Sequence, residues 1–236
     1  MLSVAMATYN GEKYIYQQIK SILENLREED ELVISDDGSS DNTLRLIKQF
    51  NDSRIKVFNG PQLGINKNFE NAIMHCTGNF IFLSDQDDVW HRDKTKEVLK
   101  EFEDSRVMVV QHDAVVIDEN DNLIIDSFSK MRRVRQGFWK NIVRNTYHGA
   151  FMAFRSELKQ SIIPFPKNGC FHDQWIGVLS NTKGKTVFLD KKLTWYRRYG
   201  NNASSFIPYP FFVQIKNRMV LMINLLFKFA KLNFRM

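Results

Sequence analysis

Apolar residues fall into two alternating patterns along the chain. Residues 2–6, 32–35, 55–58 and 80–83 are short, nearly continuous apolar runs of the kind buried strands show. Residues 14–23, 43–50 and 65–76 instead space their apolar positions three or four apart, as on one face of a helix. Ile15, Ile19, Ile22 and Leu23 make such a face in the first helix, and Leu44, Ile47 and Phe50 in the second. Strands alternating with helices of this length predict an α/β fold, with a mostly parallel central sheet, right-handed crossovers and flanking helices.

The second half is less regular. Residues 107–112 and 114–117 read as two strands, followed by a polar turn at 118–122. Residues 128–147 lose the pattern and read as a mobile loop with a short helix. A strand over 149–154, part of a helix over 173–179, and two strands over 186–189 and 193–199 follow. Pro208 and Pro210 then interrupt the chain before a last helix. The expected organisation is one domain over residues 1–206 and a C-terminal amphipathic helix over 207–236.

Composition narrows the class. At 236 residues, 43% hydrophobic and 25% charged, the chain has the balance of a globular domain, which excludes disordered, collagenous and disulfide-stapled classes. Cys76 and Cys170 stand far apart without metal-ligand spacing, as reduced thiols of a cytoplasmic protein would. The first residues lack the basic and apolar regions of a signal peptide, which points the same way. Charge is unevenly placed. Nine of the 33 basic residues and none of the 27 acidic ones lie after Asp190, leaving 24 basic against 27 acidic residues before it. A basic tail on a mildly acidic body suits an anionic surface rather than nucleic acid.

The strongest local feature is Asp85-Gln86-Asp87-Asp88, directly after an apolar strand. Three carboxylates in four residues repel one another unless a cation or hydrogen-bond donors sit among them, so the run suits a hard divalent ion. A calcium-binding EF-hand loop starting at Asp85 is excluded, since its sixth and twelfth positions would be Trp90 and Lys96. A second acidic loop, Asp36-Asp37-Gly38-Ser39, also follows a strand and opens a helix. Ligands of open α/β sheets bind outside the carboxyl ends of strands, so the two loops point to one crevice. Part of the second loop is also a turn and helix cap. The dinucleotide fingerprint G-x-G-x-x-G is absent.

Together with Ala7-Thr8-Tyr9-Asn10-Gly11 after the first strand, these loops resemble glycosyltransferase family 2 of the GT-A fold, in its bacterial "DQDD" rhamnosyltransferase-like form. The resemblance covers about residues 2–206. It implies a Rossmann-like GT-A domain in which Thr8, Tyr9 and Asp36 frame the base of a sugar nucleotide and Asp37 supports them. It likewise implies that Asp85 touches ribose and sugar while Asp87 and Asp88 hold Mg²⁺ or Mn²⁺ at the diphosphate. Phe171-His172-Asp173-Gln174-Trp175 is similar to the family segment that supplies the catalytic base, here Asp173, with His172 as a rival; Trp175 falls on the acceptor side. Tyr147-His148-Gly149-Ala150 resembles the acceptor-side segment, where His148 and Gly149 would line the approach of the acceptor. In Tyr196-Arg197-Arg198-Tyr199-Gly200-Asn201-Asn202, Tyr199 stands where relatives often carry a His; Arg197 or Arg198 would neutralise the diphosphate.

The implied function is inverting transfer from a UDP- or dTDP-sugar to a hydroxyl of a glycan, in capsule, O-antigen or cell-wall polysaccharide synthesis. Two alternatives stay open: a non-catalytic partner subunit that retains the donor fold, and a sugar-nucleotide nucleotidyltransferase. The last helix places Phe212, Ile215, Met219, Met222, Ile223, Leu226, Phe229 and Ala230 near one face, too short an apolar run to span a bilayer. That face suits the inner surface of a cell membrane, its own domain or a sister subunit. A glycan acceptor carried on a lipid would make sense of the first.

Overall fold

The structure, a computed structural model, describes residues 1–135, 137–167, 171–200 and 210–233. Its core is a sheet built first from β1 (Leu2–Thr8), β2 (Glu31–Asp36), β3 (Ile55–Asn59) and β4 (Phe80–Ser84), all parallel and ordered β3-β2-β1-β4. The sheet continues through β8 (Met152–Arg155), β6 (Val107–Ile117), β9 (Lys185–Arg197) and β5 (Val89–Trp90), with β7 (Leu123–Ile125) beside β6. In this half β6 and β9 are parallel, while β8, β5 and β7 add antiparallel pairs.

Every residue of β1 and β2 is buried, as expected of central parallel strands covered on both faces. Alternate side chains go to opposite cores. Val4, Met6, Leu32, Ile34 and Phe82 meet Ile15, Ile19 and Ile22 of α1 (Ile15–Leu23) and Val98 of α4 (Lys94–Glu101). Ala5, Val33, Ile81 and Leu83 face Phe69 and Ile73 of α3 (Ile65–His75) and Trp175 and Ile176 of α8 (His172–Ser180). Between these lie α2 (Thr43–Lys48), α5 (Phe128–Arg132), α6 (Phe138–Val143) and α7 (Lys159–Ile162). The last helix, α9 (Phe211–Asn233), seats Leu221 and Leu225 in the α3 and α8 core.

The strand and helix alternation read from residues 2–83 is present, with ends shifted by one to two residues. Later segments differ for physical reasons. The two strands expected at 107–112 and 114–117 are one strand, β6, whose pairing with β9 slips at His112/Asp113. Asp113 there turns its buried carboxylate onto the Ala114 and Ser129 amides and the Ser127 hydroxyl. Likewise 186–189 and 193–197 belong to one strand, β9, which ends before Arg198 and Tyr199; its register to β6 passes from Leu189 to Lys192, so Asp190 and Lys191 bulge out of the ladder. The strand expected from 149 starts with a 3₁₀ turn at Gly149–Phe151. The loop expected at 128–147 carries two short helices, α5 and α6. The elements β5, α4, β7 and α7 carry too few apolar positions to read as periodic. The proposed domain border at 206/207, and Cys170 and Pro208, lie outside the described residues. Cys76 is buried, and burial pushes its thiol up to about 12, an inert group.

Register decides where the site can form. Thr8 pairs with Asp36 and Met6 with Ser84, so β1, β2 and β4 end together and their following loops share one edge. At the opposite end, buried Glu31 accepts from Ser3 Oγ, Thr77 and Lys56 Nζ, the last at 2.6 Å. Burial alone would raise its pKa, but these donors outweigh it and hold the carboxyl at about 2. A depressed pKa contributes stability above the unfolded value and loses it as pH falls toward the folded one. Glu31→Gln is therefore expected to cost about 2 kcal/mol at neutral pH in urea unfolding. It should also flatten the loss of stability that the wild type shows between pH 4.5 and about 2.

Candidate active site

The shared edge opens into a cavity of about 650 Å³. Thr8, Tyr9 and Asp37 line one end, Asp85 and Asp87 the middle, and His148, Gly149 and Asp173 the far end. Its volume is that of a small-molecule site. A second recess, about 740 Å³, adjoins it across Tyr9, Gln86, Asp87 and Tyr199.

The Thr8–Asp37 end is built by short side-chain bonds. Thr8 Oγ1 donates to Asp36 Oδ2 at 2.9 Å, the Ser39 hydroxyl donates to the same oxygen, and the Gly38 and Ser39 amides donate to Oδ1. Asp36 is thus buried and acts as the anchor of its loop; Asp37 is the member that reaches the cavity, where it accepts from the Gln62 and Gly64 amides. The Tyr9 backbone and the Gln86 side chain exchange two hydrogen bonds, at 2.9 and 3.0 Å, fastening the first loop to the acidic one. A Cβ on Gly11 would stand 2.4 Å from Gln86 Oε1, which explains the glycine there.

Asp85, Asp87 and Asp88 bring one oxygen each within 4.8 Å of one another. Asp88 is 1% exposed; its Oδ1 accepts from the Arg197 amide and its Oδ2 has no partner among the described residues. Burial raises all three carboxyls, with Asp87 adding its charge at Asp85 and Asp88; Asp85 moves up to about 7. Burial favours the proton on Asp87, while a 2.7 Å bond from the Tyr199 hydroxyl favours the anion. Crowded carboxylates with an orphaned buried oxygen fit a hard divalent cation, which the three together could hold.

Asp173 sits in the first turn of α8, not at its N-cap, which is Phe171. Its Oδ1 accepts from the Gln174 amide and Asn145 Nδ2, leaving Oδ2 available to the cavity it lines. Burial lifts its pKa to about 6, against the pull of those donors and of Arg132. His172 takes a different role. The Asn66 Oδ1 that accepts its amide lies 3.1 Å from its Nδ1, which makes Nδ1 a donor and leaves Nε2 bare against Gly149. Burial pushes the ring down to about 3, so it is neutral and a weak base. A Cβ on Gly149 would come 2.5 Å from that Nε2. His148 stacks on Phe151 at 4.3 Å and is also pushed down to about 3, above all by burial.

Three residues are placed otherwise than the sequence led one to expect: Asp36, buried behind Asp37 and away from the cavity, Trp175 and Arg197. Trp175 is 2% exposed and its indole donates to the Ile162 carbonyl, so it anchors α8 in the core and does not reach the acceptor side. Arg197 is 1% exposed, its guanidinium bonded to the Asp87 and Asp118 carbonyls, Asp121 and Gln17 and lying over the Tyr14 ring. It holds the acidic loop from behind and is not aimed at a diphosphate; half-buried Arg198, against Tyr196, is the remaining cation of that pair. Three contributors escaped the sequence reading: Gln86, Arg132, whose charge acts on Asp173, and Lys94. Lys94 is fully buried, its Nζ bonded to the Ala150 carbonyl and Thr194 and 3.8 Å over the Trp90 ring. Nothing in residue spacing marks a first-turn lysine as a core residue. Asn201 and Asn202 lie outside the described residues.

The sequence profile of Glycosyl transferase family 2 matches residues 3–162. The chain is 29% identical over 226 residues to the dTDP-rhamnosyl transferase RfbG of Shigella flexneri, covering 84% of this chain and 72% of that protein. It is 26% identical to the UDP-Glc:α-D-GlcNAc-diphosphoundecaprenol β-1,3-glucosyltransferase WfgD of Escherichia coli, over 87% and 80% of the two chains. An uncharacterized glycosyltransferase of Nostoc is 28% identical over 85% of this chain and 66% of its own length. In fold, the chain superposes on S. aureus TarS 1–349 in complex with UDP-GlcNAc with a TM-score of 0.68 at 21% identity, over 87% of this chain and 61% of that one. The chain thus spans about two thirds of several of these proteins.

Arg197→Ala should lower the unfolding free energy by about 3 kcal/mol, because it removes a buried side chain that bonds the acidic loop, the turn at 118–121 and α1 together. Gly149→Ala should leave stability closer to wild type while displacing His172, seen as a shifted His172 ring resonance in NMR.

Proposed function

Because the chain belongs to glycosyl transferase family 2, we propose that it moves a sugar from a nucleoside-diphosphate donor to a hydroxyl of a glycan acceptor, with inversion at the anomeric carbon. The observation that carries this is the convergence, on one cavity at the carboxyl edge of the sheet, of the Thr8–Tyr9 and Asp37 loops, the acidic triad and a carboxylate of raised pKa, Asp173. The names of the relatives support a UDP- or dTDP-linked donor and work in surface polysaccharide synthesis, with a lipid-linked saccharide as acceptor. Such an acceptor would bring the enzyme to the inner face of the cell membrane. Among the described residues no helix is long and apolar enough to cross one.

Each role follows from placement. Tyr9 and Asp37 bound the end of the cavity where the base and ribose fit, and Gln86 keeps that end at a fixed distance from the triad. Bound by Asp87 and Asp88, Mg²⁺ or Mn²⁺ would neutralise the charge of the departing diphosphate. Arg198 adds a cation on the same side, its charge felt at Asp87. Asp173 Oδ2 accepts the proton of the attacking hydroxyl, and Asn145 together with the Gln174 amide fixes the carboxylate through its other oxygen. Gly149 gives the acceptor a surface without a side chain, beside the neutral rings of His148 and His172.

The test is transfer of radiolabelled sugar from UDP- and dTDP-linked donors to lipid-linked saccharides. Asp173→Asn should lower kcat by about 10²–10⁴-fold with donor affinity kept. A base must be deprotonated to act, so kcat/KM should fall about tenfold per pH unit below about 6 and level off above it. An Asp173→Asn enzyme with wild-type turnover would refute the assignment of the base.

A further inference from the structure

The last helix is apolar nearly all round, and its own domain covers only part of it. Leu221 and Leu225 are buried, with Met222 and Phe229 packed beside them, whereas Phe212, Ile215, Met219, Ile223 and Leu226 stay between 37% and 82% exposed. These five recur at three- and four-residue spacing, so they form one open stripe along α9. Most of the apolar face expected from sequence is therefore this open stripe, and the domain contact is made by a neighbouring line of residues. A stripe of this length is a surface in want of a partner.

Two further observations say which partner. Arg218 Nε donates to the Val143 carbonyl at 2.7 Å, which seats the end of α6 against α9. On α6, Trp139 and Val143 share a face, four residues apart, and are 69% and 62% exposed, extending the apolar surface across two elements distant in sequence. Both elements also come from acid-free stretches. No Asp or Glu occurs at 127–156 or after Asp190, while the first stretch alone holds Lys130, Arg132, Arg133, Arg135, Lys140 and Arg144. The fold thus brings exposed aromatic and aliphatic residues of two acid-free stretches together where α6 meets α9, with exposed Lys140, Arg144 and Lys216 on the same two elements.

We infer that the joined face of α6 and α9 is a docking surface for an anionic lipid bilayer, with its apolar side chains in the headgroup and acyl boundary and Lys140, Arg144 and Lys216 against lipid phosphates. A second copy of the chain would bring its own cations against these, and a nucleic acid would gain little from the open aliphatic stripe. The face is also tied to the site. Asn145 follows α6 and bonds to Asp173, and Gln174 donates to the Asn141 carbonyl of α6, so a bilayer held here lies next to the acceptor end of the cavity.

The test is flotation of the full chain with vesicles of mixed phosphatidylglycerol and phosphatidylcholine, against pure phosphatidylcholine, followed by tryptophan emission. Binding to the anionic vesicles, a blue shift lost in Trp139→Phe, and weakening of about tenfold or more in Lys140→Glu/Lys216→Glu and in Ile215→Glu/Ile223→Glu are expected. Circular dichroism and thermal melting of each variant check that the loss is not unfolding, and neither readout depends on transferase activity. Absence of binding, equal binding to neutral vesicles, or a dimer in analytical ultracentrifugation that Ile223→Glu dissolves would each overturn the inference.

Discussion

Three carboxylates held within 4.8 Å of one another at the end of β4 set the terms for everything around them. At an effective dielectric of about 20, each pair of like charges at that separation repels by about 3 kcal/mol. The fold can keep such a cluster only by protonating it or by supplying positive partners. Every neighbour can be seen as part of that supply. The Arg197 amide takes one Asp88 oxygen, the Tyr199 hydroxyl takes one from Asp87, and the other Asp88 oxygen is left bare in a buried place. A divalent ion would answer both the repulsion and the bare oxygen, which is why the cluster fits one.

The same constraint accounts for residues that stand behind the cavity. Arg197 spans the acidic loop, the turn at 118–121 and α1 through its guanidinium, and Gln86 clips the loop to the end of β1. Lys94 links α4 to Ala150 and to Thr194 of β9, so α4, the turn at Gly149–Phe151 and the strand that leads to Tyr199 are tied together behind the cavity. Asp173 approaches from the opposite core, on α8, close enough for its charge to raise Asp85. Asp85 and Asp173 are in this way electrostatically joined though they come from different layers of the fold.

Much of this was legible in the sequence where local rules suffice. Parallel strands buried on both faces show as apolar runs, and acidic loops after them point to the carboxyl edge, so Thr8, Tyr9, Asp37, Asp85, Asp87, Asp88 and Asp173 come together as the pattern expects. Long-range partners were not legible. Trp175 and Arg197 look functional by residue type, but packing against Ile162 and the Asp118–Asp121 turn decides their fate. Tyr199 reads as a lost histidine in the sequence, yet its hydroxyl reaches Asp87 and keeps a polar group at that carboxylate. The apolar stripe of α9 was visible, but which of its lines meets the domain depends on tertiary contact alone.

The central claim is that the acidic triad is a cation-dependent donor site. Calorimetric titration of UDP-, dTDP- and GDP-sugars, with Mn²⁺ and with chelator, on the wild type and on Asp88→Asn tests it most directly. The account predicts binding of one nucleotide class that needs the metal and is lost in the variant. Equal binding with chelator, or binding unchanged in Asp88→Asn, would contradict it.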